Sequence, residues 1–135
     1  MNMAQTVSKR MTCERARVGA LIVKDNRVVS MGYGGAPAGL PHCTQVGCEL
    51  GPDGGCITTV HAEASAICFA AKEGIAVKGS TMYVTLAPCR NCAKLIINSG
   101  IEKVIYLQSY RDPSGLVLLT RAGVVCLHYD DVTEE

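Results

Sequence analysis

The sequence predicts an α/β fold: a three-layer α/β/α arrangement built on a five-stranded mixed sheet. Three observations lead there. Two short β-rich runs flank a turn near the N-terminus, and helical and extended patterns then alternate from residue 59 onward. The hydrophobic fraction is 48%, yet there is one Phe and no Trp. A core must therefore come from Val, Ile, Leu, Ala and Met, which suits strands covered by small-residue helices. At 135 residues, the span 1–135 is expected to form one domain and to bury roughly two-thirds of its unfolded surface.

Each element has its own signal. Gln5 to Thr12 is polar, with Val7 and Met11 four residues apart, and reads as a short first helix. Val18 to Val23 and Arg27 to Tyr33 are β-rich, and Lys24-Asp25-Asn26 between them supplies turn chemistry, so the pair reads as a hairpin. Gly34 to Gly55 is rich in Gly, Pro, Cys and Asp without a period, a long loop of the kind that is usually functional or stapled. From Thr59, Ala62, Ala66, Ile67, Ala70 and Ala71 recur at helical spacing, and Gly74 is the stop. Thr81 to Leu86 is a strand broken by Pro88, and Cys89 to Asn98 a helix ending at Gly100. Lys103 to Leu107 is a strand, Ser114 to Arg121 a helix closed by Gly123, and Val124 to Tyr129 the last strand. Asp130 to Glu135 reads as an acidic, frayed tail. Alternation in the second half implies parallel strands with helices on both faces.

Composition narrows the function classes. The net charge is +1 and the 13 Lys and Arg residues are dispersed, which disfavours a nucleic-acid polymer as ligand and favours a small molecule. No apolar run is long enough to span a membrane, and Met1 to Arg17 lacks a signal-peptide pattern. The expected compartment is a reducing cytoplasm, or a host's cytoplasm for a viral chain. There the 8 cysteines stay thiols or bind metal rather than forming disulfides.

Two fragments carry the chemistry: His61-Ala62-Glu63 at one helix start, and Pro88-Cys89-Arg90-Asn91-Cys92 at the next. Each alone is ambiguous. A His near a Glu is commonly a surface pair, and a Cys-x-x-Cys can be a redox pair or half a structural zinc site. Together they form a candidate catalytic site. Cys89 and Cys92, three apart on a helix, point two sulfurs at one metal, and the helix N-terminus favours thiolates. His61 supplies a third ligand, leaving a fourth tetrahedral position open. Glu63, two residues from His61, diverges by about 200° on a helix and is not a ligand of that metal, but can serve as the proton carrier. H-x-E followed by P-C-x-x-C is the pattern of zinc nucleobase deaminases. A structural zinc with its fourth ligand elsewhere, His42 included, is the competing reading.

The sequence resembles the deoxycytidylate (dCMP) deaminase family, within the cytidine-deaminase-like superfamily. The resemblance runs from about Cys13 to Val125. It rests on Val18-Gly19-Ala20, Gly32-Tyr33, Pro37-Ala38-Gly39, His61-Ala62-Glu63, Tyr83-Val84-Thr85-Leu86, Pro88-Cys89 with Cys92-Ala93-Lys94, and Ser99-Gly100-Ile101. It implies conversion of dCMP to dUMP with release of ammonia, a catalytic Zn2+, dCTP and dTTP as effectors, and a homo-oligomer, hexameric in many members. Substrate residues by this resemblance and by position are Tyr33, Gly34, Gly35 and Ala62, with Tyr110 to stack on the base and Arg111 to meet the phosphate. The family usually has Gly-Tyr-Asn-Gly where this chain has Gly32-Tyr33-Gly34-Gly35, so the side chain that meets sugar or base is missing. dCTP, a free nucleoside or a modified pyrimidine therefore stay open as substrates, as does a non-catalytic zinc or nucleotide-binding module. Four ligands for a second, structural zinc can be drawn from His42, Cys43, Cys48, Cys56 and Cys13. Cys68 and Cys126 read as small core residues, and His128 as a surface or half-buried residue without a ligand role.

Overall fold

The computed structural model describes residues 1–10, 17–41 and 59–132. Its described elements, in chain order, are α1 (Asn2–Ser8), β1 (Gly19–Lys24), β2 (Arg27–Tyr33), α2 (Ala62–Lys72), β3 (Thr81–Leu86), α3 (Arg90–Ser99), β4 (Lys103–Gln108), α4 (Ser114–Arg121), β5 (Val125–His128) and a 3-10 turn (Tyr129–Asp131). The strands form one sheet in the order β2-β1-β3-β4-β5. β1 runs antiparallel to β2 and to β3, whereas β3, β4 and β5 are parallel. The mixed five-stranded sheet expected from the sequence is the one observed.

The hairpin closes more tightly than the three-residue turn expected. Lys24 pairs with Arg27 as part of the ladder, and Asp25 and Asn26 take φ of 53° and 61°. Two positive φ values make a turn whose twist matches the strands, and Asp and Asn are among the residues that tolerate them. β1 then lies between β2 and β3, and its Gly19, Ala20, Leu21 and Ile22 are buried.

Side-chain alternation on the strands divides the interior in two. Ala20, Ile22, Met82, Val84 and Val104 face Ala62, Ala66 and Ala70 of α2, Ala93 and Ile96 of α3, and Leu119 of α4. Leu21 faces the other way and packs with Ala4 and Val7 of α1, joined by Tyr33 and Tyr83. Three helices therefore share one face and α1 covers part of the other, which gives the three layers; the helices of the second half lie on one face rather than on both as their alternation suggests, and the second helical layer comes from the N-terminal helix. The two parallel crossovers, β3-α3-β4 and β4-α4-β5, lead to consecutive neighbours in one direction, so the right-handed rule puts both helices on the same side.

Several boundaries depart from the sequence reading. The first helix is Asn2–Ser8 rather than Gln5 to Thr12, because its buried pair is Ala4 and Val7; Met11 and Thr12 lie outside the described residues. α2 begins at Ala62, not near Thr59. Gly35 and Val60 exchange backbone hydrogen bonds of 3.2 and 2.7 Å and hold the chain extended up to that point. Cys68 is exposed rather than core. The buried stripe of α2 is Ala62, Ala66 and Ala70, and a residue midway between the last two points away from it. Cys126 is half-buried against the core. The tail opens with an ordered turn: the Asp130 N–H donates to His128 Nδ1 at 3.1 Å, and the half-buried His128 ring meets Tyr106 edge-on at 5.3 Å.

Ile22 has no exposed surface and sits where β1, between β2 and β3, meets α2. Ile22→Ala is expected to lower the unfolding free energy by about 2–5 kcal/mol, read from urea midpoints. Val125→Ala, at a position 48% exposed, is expected to change it by less than about 0.5 kcal/mol. Equal shifts for the two would contradict this division into core and surface.

Candidate metal centre

Two helix starts meet at one point. His61 is the N-cap residue of α2, with φ −65° and ψ 152°, and Cys89 is the N-cap of α3, with φ −73° and ψ 170°. Both residues are thus extended, one step outside the helices on which the sequence reading put them. Two different restraints produce this. The bridge from Gly35 to Val60 delivers the chain to His61, and Pro88 ends β3 before α3 can begin. Cys92 lies in the first turn of α3, so the two sulfurs come from a cap and the turn that follows it.

His61 Nδ1 stands 3.5 Å from Cys89 Sγ and 3.4 Å from Cys92 Sγ. All three donor atoms lie within 4.8 Å of one another. Zn–S bonds of about 2.3 Å and a Zn–N bond of about 2.0 Å at a tetrahedral angle require N···S edges of roughly 3.5 Å. The donor set, one imidazole nitrogen and two thiols, is also chemically suited to zinc. Among the described residues this trio is the group of His, Cys, Asp and Glu side chains that can hold a metal ion. Glu63 is outside it, as its i+2 offset from His61 leads one to expect.

Glu63 is 4% exposed, unusual for a carboxylate. Burial pushes its pKa up to about 6, opposed by its own backbone N–H, by His61 and by the Cys92 thiol. The thiols influence each other more strongly. A hydrogen bond from Cys92 holds Cys89 down to about 4, with His61 adding to the effect and burial opposing it. That same bond, followed by burial, pushes Cys92 upward.

The remaining candidates are placed as follows. Ala62 is buried at the start of α2. Gly34 and Gly35 are buried at the end of β2, and Gly35 pairs with Val60, the neighbour of His61. Tyr33 packs with the α1 cluster on the opposite face of the sheet, and the Arg10 guanidinium lies 5.6 Å from its ring centroid. Arg111 is exposed, with its guanidinium 5.8 Å from the centroid of the half-buried Tyr110 ring. Cys13, His42, Cys43, Cys48 and Cys56 lie outside the described residues. The sequence reading did not single out a groove of about 280 Å³ beside the Cys89 turn, to which Arg90, Asp112, Ser114 and Arg121 contribute. The Ser114 N–H donates to Asp112 Oδ1 at 2.9 Å; that bond, then Arg90 and Arg111, keeps the carboxyl below its ordinary pKa. The sequence signal for Arg90 was its place directly after Cys89.

Comparison with known proteins agrees with this geometry. Residues 1–108 match the cytidine and deoxycytidylate deaminase zinc-binding region. The chain belongs to that family. ComE operon protein 2 of Bacillus subtilis is 42% identical over 125 residues, covering 92% of this chain and 66% of its own length. Deoxycytidylate deaminase of Enterobacteria phage T4 is 33% identical over 165 residues, covering 92% and 84%. The crystal structure of dCMP deaminase from cyanophage S-TIM5 in complex with dCMP and dUMP has a TM-score of 0.85 at 33% identity, covering 94% of this chain and 91% of that one. Family membership makes this a zinc-binding deaminase fold, and His61, Cys89 and Cys92 are the group in it that fits the ion. Among the described residues, no helix is long and apolar enough to cross a membrane.

An ion held jointly by Cys89 and Cys92 would leave a chemical footprint on them. In zinc-loaded protein, alkylation mapped by peptide mass is expected to spare Cys89 and Cys92 and to modify the exposed Cys68. After chelation Cys89 and Cys92 should become labelled. Labelling of that pair to the same extent with and without zinc would exclude a common ion.

Proposed function

We propose that this chain catalyses the hydrolytic deamination of dCMP to dUMP with release of ammonia. The observation that carries the reading is the buried Glu63 carboxyl next to a zinc-competent trio of His61, Cys89 and Cys92. We assign these three residues as the metal ligands and Glu63 as the proton carrier. Bound zinc supplies Lewis-acid activation of water.

The remaining chemistry belongs to the chain. Water adds at C4 of the cytosine ring, and the exocyclic amine leaves from the same carbon. Glu63 accepts a proton from the attacking water and passes it to N3; it then takes the remaining proton from the new C4 hydroxyl and delivers it to the amine, so that the C4 carbonyl forms as ammonia leaves. A carboxyl that must both take and give protons works best with a pKa near the operating pH. The upward push from burial moves Glu63 in that direction.

Substrate choice rests on the relatives. The phage T4 protein is named a deoxycytidylate deaminase, and the cyanophage protein was crystallised with dCMP and dUMP. In this reading Arg111 meets the phosphate, Tyr110 stacks on the base, and the backbone of Gly34-Gly35 lines the sugar side. The family resemblance extends the proposal to a cytoplasmic homo-oligomer, hexameric in many members, with dCTP and dTTP as effectors.

Glu63→Gln keeps the shape of the side chain and removes its proton chemistry. It is expected to lower kcat about 10²–10⁴-fold with zinc content unchanged, measured by ammonia release and metal analysis. Retained activity would remove Glu63 from the mechanism. Assayed against dCMP, dCTP, CMP, deoxycytidine and cytosine, the protein is expected to release ammonia fastest from dCMP. Preference for dCTP or deoxycytidine would place the specificity elsewhere in the superfamily, and no release from any of the five would favour a binding module.

A further inference from the structure

The two halves of the metal centre arrive on separate helices, and each rests directly on backbone at a glycine. Under α2, the side-chain position of Gly32 is filled by the helix itself. A Cβ there would lie 2.2 Å from the Ala62 carbonyl oxygen and 2.5 Å from the Ala66 nitrogen. Neighbouring Ser30, 3% exposed, donates its hydroxyl to the Ala66 carbonyl at 2.7 Å. β2 therefore grips the first turn of the helix that begins one residue after His61.

The cysteine half is seated in the same way by a different element. A Cβ on Gly115 of α4 would lie 2.1 Å from the Pro88 carbonyl oxygen and 3.0 Å from the Cys89 carbonyl oxygen. That Cys89 carbonyl also accepts the first hydrogen bond of α3, from the Ala93 N–H at 2.9 Å. Neither obstacle is the movable end of a side chain, so any added carbon must displace a helix start.

We infer that Gly32 and Gly115 are positioning residues for the metal centre, together setting the separation between His61 and the Cys89–Cys92 pair. This rests on the assignment of those three residues as ligands. The reason is geometric. Ligand edges of 3.4–3.5 Å leave little slack, and residues that orient ligands from behind typically govern metal affinity about 10–100-fold. Displacing one helix start relative to the other opens those edges directly.

Gly19 provides an internal comparison. A Cβ there would be as crowded, 2.1 Å from the Ala4 carbonyl oxygen and 2.6 Å from the Ser8 nitrogen. Its partner, though, is α1, which packs on the opposite face of the sheet from α2 and α3. A merely structural role for tight glycines predicts the same outcome at all three positions. A positioning role separates them.

The test is zinc affinity by chelator competition on folded full-length protein, with thermal melting recorded in parallel. Gly32→Ala and Gly115→Ala are expected to bind zinc about tenfold or more weakly than the parent. Gly19→Ala should melt earlier while keeping parental zinc affinity. Zinc held as tightly by Gly32→Ala and Gly115→Ala as by the parent would overturn the inference. So would an equal loss in Gly19→Ala. Should Gly32→Ala fail to fold, Ser30→Ala, which removes a single hydrogen bond to α2, carries the test for the His61 half, and Gly115→Ala carries it for the cysteine half. An affinity drop of about threefold supports the inference, and parental affinity overturns it. A parent that binds no zinc would instead overturn the ligand assignment itself.

Discussion

The structure turns on one requirement: two helix N-termini, separated in sequence by the whole of α2, a connecting segment and β3, must begin at the same point in space. His61 caps one and Cys89 the other, and His61 Nδ1 stands 3.5 Å from Cys89 Sγ and 3.4 Å from Cys92 Sγ. A helix N-terminus carries partial positive charge from its unpaired N–H groups. Two of them together therefore favour thiolate sulfur and an acidic neighbour. The sheet supplies the rigid reference. With β1 buried between β2 and β3, the end of β2, which leads to Gly35, and the end of β3, which leads to Pro88, are held in a common frame.

Much of this was legible in the sequence, because local patterns and local chemistry agree. Thr81–Leu86 is a strand with the bounds its residues predict, as is the helix Ser114–Arg121. Gly100 takes φ 86° at the end of α3, a conformation that costs other residues strain. The grouping of His61, Cys89 and Cys92 was legible because metal chemistry restricts residue types and their spacing so severely. His61, Cys89 and Cys92 could be grouped before any coordinate placed them within 4.8 Å of one another.

What the sequence hid was long-range. α2 starts late because Val60 is paired with Gly35, a contact with no local signature. Cys68 looked like a core residue by type, but the helix face is set by three alanines that meet the sheet. The groove with Arg90 and Arg121 unites residues from two helices. The close approach at Gly32 and Gly115 is equally invisible beforehand, because a glycine chosen for contact and one chosen for a turn look alike in a sequence. For Tyr33 the sheet alternation decides, turning its ring towards α1 while its backbone neighbours Gly34 and Gly35 continue towards Val60.

The bridge between Gly35 and Val60 has one more effect. Its two backbone hydrogen bonds tie off everything between those residues, so the ends of the intervening segment meet at fixed positions whatever its length. A change of sequence between Gly35 and Val60 therefore meets His61 across a backbone that this bridge already pins.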